Sequence, residues 1–306
     1  MSHLQATVRG GMKGRNLKMV IGIVGLGLIG GSLAKAFSAA GARVMGYDAQ
    51  PSTLQVAVDM GICHQILSME NAGRCDFIFL AVPVGAAESW LTEKAFKLGS
   101  PGACAKKPVI MDCCGVKRRI CQVGFSLEKT SGIRFVSIHP MAGRADWGLK
   151  FSDEDLFRGA MCAVIPGEEN RRDIALMSGV ENVLAMAGFS RLRVMTPEEH
   201  DSVIALTSQL SHLVSSSFVK CDEGIREQAQ VAGGSFRDMT RVAFLNENVW
   251  ADLFLENRDN LLDRLDLLTV ELQKYRRALE DNNRDTLTDL LARGREEKER
   301  LTVAAM

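Results

Sequence analysis

Val20-Ile21-Gly22-Ile23-Val24-Gly25-Leu26-Gly27-Leu28-Ile29-Gly30-Gly31-Ser32 is the stretch that decides how the rest of the chain reads. Its first part is a short β-branched run without charge and reads as a buried strand. Its second part is Gly25-x-Gly27-x-x-Gly30, followed by Leu33-Ala34-Lys35-Ala36-Phe37, which has helix-forming composition. Gly25 permits a tight turn, Gly27 lets a pyrophosphate approach the backbone, and Gly30 lets the helix pack close to the strand. The helix that opens at Leu28 and Ile29 offers unpaired N–H groups and a positive dipole end to that phosphate.

A glycine pattern of this kind is weak alone, and its surroundings strengthen it. A second strand, Arg43-Val44-Met45-Gly46-Tyr47, ends in Asp48. That is about the 20-residue distance of the carboxylate that binds the adenosine ribose. Asp48 would accept hydrogen bonds from both ribose hydroxyls and repel a 2′-phosphate. Ala49 and Gln50 follow, with no Arg to receive such a phosphate, so the reading is NAD rather than NADP. The competing reading is a glycine-rich turn that binds nothing, with Asp48 as a solvated loop acid.

With 306 residues, 46% of them hydrophobic, the chain has room for two domains with substantial cores. Lys+Arg and Asp+Glu both count 37, so no net charge draws it to nucleic acid or to an anionic membrane. Eight cysteines contain no C-x-x-C pair, and no secretion signal is evident. They read as reduced thiols in a cytoplasmic protein. Basic residues before the apolar run from Met19 to Ala34 mimic a signal peptide, but the glycine spacing argues otherwise. Residues 1–18 read as a disordered leader.

Strands then alternate with helices as far as Met195. Asp76–Val82 is a buried strand that Pro83 ends at the carboxyl edge of the sheet, so Val82 and Pro83 join the cofactor candidates. Pro108–Asp112 is another strand and leads into Cys113-Cys114-Gly115, the last of these candidates. Arg134–Ile138 delivers His139-Pro140-Met141-Ala142-Gly143 to the same edge. Helices are expected over 51–61 with Ser52 or Thr53 as cap, and over 85–98, 117–129 and 170–187. The alternation predicts a doubly wound parallel sheet over 19–195.

Residues 196–306 read as all helical. Thr196-Pro197-Glu198-Glu199 is a helix start with a capping box. The following stretch, to about Gly224, is apolar on nearly all sides, which suits a helix central to its domain or to a dimer core. Further helices are expected over 236–245, 247–256 and 258–293. Leu261, Leu262, Leu265, Leu268, Val270 and Leu272 recur at heptad-like spacing. They fit a two-fold homodimer interface, or equally one amphipathic helix packed on its own domain.

Three polar groups carry candidate chemistry. His139, at a strand end, suits acceptance of a hydroxyl proton as hydride leaves carbon; it could instead bond only the loop backbone. Ser208 and His212 are four apart and share a helix face, as a mutually satisfied pair or as a ligand wall. Arg241 could clamp a carboxylate or form a surface salt bridge with Glu247.

Gly25-x-Gly27-x-x-Gly30-Gly31-Ser32, Asp112-x-x-x-Val116-Lys117, His139-Pro140-Met141-Ala142-Gly143, Ser208-x-Leu210-x-His212 and Asp238-x-Thr240-Arg241 follow one another in the order of a known family. Over about Met19 to Asn260 the chain resembles the prephenate/arogenate dehydrogenases. The resemblance implies a dinucleotide-binding domain followed by a helical dimerisation domain. It implies NAD-dependent oxidative decarboxylation of prephenate to 4-hydroxyphenylpyruvate, in tyrosine biosynthesis, with arogenate or an amino-substituted analogue as the other substrate. It assigns His139 to the substrate's 4-hydroxyl, Arg241 to the ring carboxylate, and His212 and Ser208 to the pocket wall.

The chain departs from the family pattern at several positions. Gly115 stands where many members carry Ser. Arg144, Ala145, Asp146 and Trp147 replace a pattern with Glu, and Gln209 and Ser211 replace a His and a Pro. Arg144 could add a cation at the pocket mouth, and Trp147 could shape the side-chain end. A related 3-hydroxyacid dehydrogenase is disfavoured, because Lys220 is followed four residues on by Gly224 rather than Asn. A non-catalytic dinucleotide-binding regulator is the reading from another class, favoured only by Gly115. A monofunctional enzyme is expected.

Overall fold

The computed structural model describes residues 18–100, 107–144, 146–222 and 224–305. The leader expected over 1–18, apart from Lys18, lies outside them. The chain divides into two units. One runs through Cys114 and resumes from Ile120 to Val194; the other comprises Gly115–Arg119 and everything from Met195 onward.

The apolar runs of the first unit form strands, and most of the helices between them bury small and apolar residues. Along the chain these are β1 (Val20–Val24), α1 (Leu28–Ala39), β2 (Arg43–Tyr47), α2 (Pro51–Asp59), β3 (Gln65–Ile66), α3 (Met69–Ala72), β4 (Phe77–Leu80) and α4 (Val84–Trp90). Next come α5 (Phe96–Gly99), β5 (Val109–Asp112), α6 (Arg118–Ser131) and β6 (Arg134–Pro140). The unit closes with β7 (Met161–Pro166), α7 (Glu168–Arg172), α8 (Ile174–Met186) and β8 (Arg191–Val194). The eight strands form one sheet in the order β3-β2-β1-β4-β5-β6-β7-β8. The chain leaves β1 toward one edge and returns at β4 on its other side. The carboxyl ends of β1 and β4 therefore flank the point where strand order reverses, which is where open α/β sheets hold ligands.

Most of the sheet is parallel, but β7 runs antiparallel to β6, pairing His139 with Ala163 and Pro140 with Cys162. This differs from the all-parallel expectation. The linking residues 141–160 carry only a 3-10 turn, Leu149–Phe151, among their described positions. Without a crossover helix the chain re-enters the sheet from the end it left. A buried cluster including Ile21, Ile23, Leu33, Phe37, Phe79, Met111, Val136, Phe157 and Val180 forms the core. Phe37 and Phe79 meet with ring centroids 5.2 Å apart.

Local details depart from expectation for identifiable reasons. Helix α2 starts at Pro51 with Gln50 at its cap position and no side-chain cap, so neither Ser52 nor Thr53 caps it. The helix expected over 85–98 is α4, a π-turn over Leu91–Ala95, and α5. The expected helix over 170–187 is split, because Asp173 caps α8 by accepting the Leu176 N–H at 2.9 Å.

The second unit is helical: α9 (Pro197–Ile204), a π-turn over Ala205–Gln209, α10 (Leu210–Phe218), α11 (Ile225–Gln228), α12 (Gly234–Thr240), α13 (Glu247–Glu256), α14 (Arg258–Glu280) and α15 (Arg284–Ala305). Thr196 and Glu199 form the expected capping box. The single helix expected over 258–293 is broken. Asn282 adopts φ 45°, and Asn283 accepts the Thr286 N–H at 3.0 Å to start α15. Asn tolerates the left-handed region and caps helices well, so adjacent asparagines outweigh the continuing leucine pattern.

Gly115–Arg119 is held within this unit by Asp201. The Asp201 carboxylate, almost fully buried, accepts the backbone N–H of Lys117 at 2.8 Å and of Arg118 at 3.0 Å. It thereby caps α6 from another element, where a helix favours negative charge. His200, fully buried, approaches the same carboxylate through Nδ1 at 2.8 Å. A carboxylate only accepts, so Nδ1 is the donor. Asn257 donates to the Asp201 carbonyl at 2.8 Å and to Gln209 Oε1 at 2.7 Å. Arg118 pairs with Asp259, which raises the guanidinium pKa and holds the Asp259 carboxyl below its usual range.

Candidate active site

The glycine turn after β1 is built by steric exclusion. Gly25 has φ +88°, and a Cβ there would lie 2.5 Å from the Ala81 carbonyl oxygen. A Cβ on Gly30 would lie 1.8 Å from the Gly25 carbonyl oxygen, so α1 meets the strand only because residue 30 has no side chain. Gly27 is the opposite case: a Cβ there would meet nothing within 4 Å. Its open face lies at the start of α1, where no side chain caps the helix. The first-turn N–H groups of Leu28, Ile29 and Gly30 are thus left for an anionic ligand.

Asp48 follows β2 and fixes this turn. Its Oδ2 accepts the Leu26 N–H at 2.7 Å, and its Oδ1 accepts the Gln50 N–H at 2.8 Å. Each oxygen keeps a lone pair for a further donor. Gly25, Gly27, Asp48, Val82 and Pro83 line one cleft of about 560 Å³. Tyr47, Ala49, Ala86, Ser89, Trp90, Glu93 and Lys94 complete much of its wall. Five of the expected cofactor residues therefore come together, and Leu28, Ile29 and Gly30 stand in the adjoining helical turn. Gly115, the ninth, groups with the helical unit. An open glycine face, an uncapped helix start and a carboxylate at the next strand end fit a dinucleotide's pyrophosphate and ribose.

His139 is half-buried in the last turn of the ladder on β6. In the same unit, Arg144 is bound to Asp153 rather than standing free, and Trp147 is 55% exposed.

In the helical unit, His212 on α10 donates from Nδ1 to the Ser208 carbonyl at 2.9 Å. The Ser208–His212 relation expected from their spacing therefore runs through backbone, not hydroxyl. That bond fixes the tautomer and leaves Nε2 as an acceptor in the neutral ring. The imidazole stacks on Trp250 of α13, centroids 4.0 Å apart and planes 29° apart. Phe254 packs edge-on against Trp250 at 5.5 Å. One turn beyond His212, Ser215 donates to the Met239 carbonyl at 2.7 Å, which ties α10 to the end of α12 beside Arg241. Arg241 is exposed and makes no ion pair among the described residues, so the salt bridge to Glu247 is not formed. Its guanidinium is left for a carboxylate.

Sequence reasoning gave no role to Trp250, Ser215, Asp201, Trp90 or Lys94. Trp250, Ser215, Asp201 and Lys94 act through partners remote along the chain, and Trp90 only lines the cleft wall; spacing carries no signal of either. Among the described residues no cluster of three or more His, Cys, Asp or Glu could hold a metal ion, and no helix is long and apolar enough to cross a membrane.

Comparison with known proteins agrees with this division. Residues 33–189 match the family model described as the prephenate dehydrogenase nucleotide-binding domain, and residues 196–293 the one described as its dimerization domain. A prephenate dehydrogenase of Bacillus subtilis is 29% identical over 279 residues, covering 89% of this chain and 73% of that protein. A cyclohexadienyl dehydrogenase of Zymomonas mobilis is 28% identical, covering 88% and 91%. The solved prephenate dehydrogenase from A. aeolicus, in complex with hydroxyphenyl propionate and NAD+, superposes with a TM-score of 0.78 at 27% identity, covering 94% of this chain and all of that one. Synechocystis arogenate dehydrogenase gives 0.75 at 26% identity, covering 92% of this chain and all of that one. With one family's two domain models falling in order on one chain, over a glycine-turn cleft and a helical unit, this protein belongs to the prephenate dehydrogenase family.

Proposed function

We propose that the chain catalyses the NAD-dependent oxidative decarboxylation of prephenate to 4-hydroxyphenylpyruvate, a step of tyrosine biosynthesis. The observation that carries the reading is the conjunction of Asp48 and the open Gly27 face in one cleft with both domain models of that family on the same chain. NAD, when bound, supplies the hydride acceptor. Prephenate offers a ring hydroxyl at C4 and a carboxylate at C1. As C4 becomes a carbonyl, it acts as an electron sink conjugated to C1. CO2 then leaves, and aromatisation drives the reaction.

The protein's part is to position the ring and to take one proton. His139 accepts the 4-hydroxyl proton; a positioned base of this kind typically contributes ~10²–10⁴-fold. Arg241, free of carboxylate partners among the described residues, holds the ring carboxylate. His212, with its tautomer set by the Ser208 carbonyl and its face set by Trp250, presents Nε2 to the polar end of the substrate. The helical unit pairs with a second copy. Leu262, Leu267, Val270, Leu272 and Leu279 of α14 stand at least half exposed in the single chain, which supports that pairing. The seven described cysteines are free, which supports a reducing, cytoplasmic setting.

Reduced-nicotinamide absorbance tests the reading, with NAD or NADP combined with prephenate or arogenate. Reduction of NAD with prephenate is the expected outcome. Reduction with arogenate alone would transfer the function to the substrate for which the Synechocystis relative is named. Bound NAD without turnover on either would favour a regulator.

A further inference from the structure

The cleft that holds Asp48 also holds a cation that the residues after Asp48 do not supply. Ala86, Ser89, Trp90, Glu93 and Lys94 recur at three- and four-residue steps and line one wall. The wall passes from α4 into the π-turn over Leu91–Ala95, a departure from regular helix that is frequent at functional sites. From this turn Lys94 reaches across to β2. Its Nζ lies 5.1 Å from the centroid of the Tyr47 ring. Tyr47 immediately precedes Asp48, so the ammonium flanks the strand end where the adenosine ribose is expected.

Lys94 has no carboxylate partner among the described residues, and the ring face offers its ammonium no hydrogen-bond acceptor comparable to an oxyanion. The charged groups lining the cleft are Asp48, Glu93 and Lys94. Asp48 is the group that should repel a 2′-phosphate, yet both its oxygens are already engaged by the N–H groups of Leu26 and Gln50. Donors aimed at a carboxylate offset part of its negative charge.

We propose that Lys94 is a second cofactor-selecting residue, an ammonium that receives a 2′-phosphate and keeps the cleft open to the phosphorylated dinucleotide alongside NAD. The inference rests on the cleft being the adenosine site. It amends the argument that Ala49 and Gln50 leave no cation for such a phosphate, because the cation comes from the opposite wall.

Calorimetric titration of the full chain with 2′,5′-ADP and with 5′-AMP tests the adenosine end without substrate or turnover. Lys94→Met keeps most of the stem and drops the charge. It is expected to weaken 2′,5′-ADP about fivefold, as for a partly exposed ion pair, and 5′-AMP less than twofold. Lys94→Arg should restore most of the difference, and added salt should erode it in the parent. Asp48→Asn should tighten 2′,5′-ADP, and Lys94→Met in that background should remove the gain. Equal weakening of both nucleotides, or a 2′,5′-ADP affinity that ignores Lys94 in both backgrounds, overturns the selecting role. If neither nucleotide binds the parent, the cleft reading falls with it. Absent turnover with intact nucleotide binding would instead count against the proposed substrate alone.

Discussion

In the sheet unit, Gly25, Gly27 and Gly30 act through the side chain they lack; in the helical unit, His212, Trp250 and Asp201 act through the groups they touch. The glycine turn is specified by close backbone approaches, Gly30 against the Gly25 carbonyl and Gly25 against the Ala81 carbonyl just past β4, and any added atom at these two positions collides. The helical centre is specified by contacts between segments far apart: His212 with Trp250, and Asp201 with Lys117 and Arg118. A local device tolerates changes elsewhere and fails at one atom. A distributed device fails wherever one partner is withdrawn, by an amount set by how well the rest is satisfied.

The contrast can be broken by variants, and the largest effect belongs to the proposed chemistry. His139→Asn should lower turnover about 10²–10⁴-fold with little change in substrate affinity, while Arg241→Ala should act mainly on KM. Steady-state kinetics that show His139→Asn equal to the parent would remove its role. Asp201→Ala comes next. It strands two backbone N–H groups and the His200 donor, and should cost about 3–5 kcal/mol in denaturant unfolding. A loss under 1 kcal/mol would mean that the distributed device is redundant.

Gly30→Ala and Gly27→Ala sharpen the comparison within the turn. The first forces a contact of 1.8 Å with backbone and should cost about 3 kcal/mol of stability, with dinucleotide binding lost. The second meets nothing within 4 Å, so its unfolding midpoint should hold while NAD affinity falls. Equal unfolding of the two variants would refute the division of roles. Trp250→Leu should raise KM for substrate and cost about 1 kcal/mol through the lost stack.

The smallest effect concerns Glu128 on α6. It accepts the Phe135 N–H at 2.7 Å and also binds Asn170. Burial pushes its carboxyl pKa above the ordinary 4.5. A folded-state value above the unfolded one means the folded chain holds the proton more tightly. The associated stability is present below pH 4.5 and lost as pH rises through the raised value. Glu128→Gln should flatten that fall in a series of thermal melts, and an unchanged slope would count against burial as the cause.

Much of the fold was legible because strands and the glycine turn are local patterns. The run from Val20 to Ser32, the strand ending at Asp48 and the strand that Pro83 closes carried the five candidates that line one cleft, Gly25, Gly27, Asp48, Val82 and Pro83. The direction of β7 was not legible, since it depends on a connection without a helix rather than on its own residues. The break at Asn282 and Asn283 was written in the sequence, but the leucine period running through it drew the reading past it. Trp250 and Lys94 escaped notice because stacking and cation–π contacts join residues that share no spacing. Arg144, which could have added a cation at a pocket mouth, is paired with Asp153, a partner nine residues on.

The short strap Gly115–Arg119 bears on how this chain can be taken apart. The polypeptide passes from one unit to the other at Cys114, returns at Arg119, and passes again at Val194. A fragment cut at Met195 would look self-contained by its helical content, yet its buried Asp201 would lack the two backbone donors that the strap provides. The protein is thus two folding units interlaced by five residues, and a functional dissection or a domain graft would have to carry that strap, or a replacement for it, across the cut.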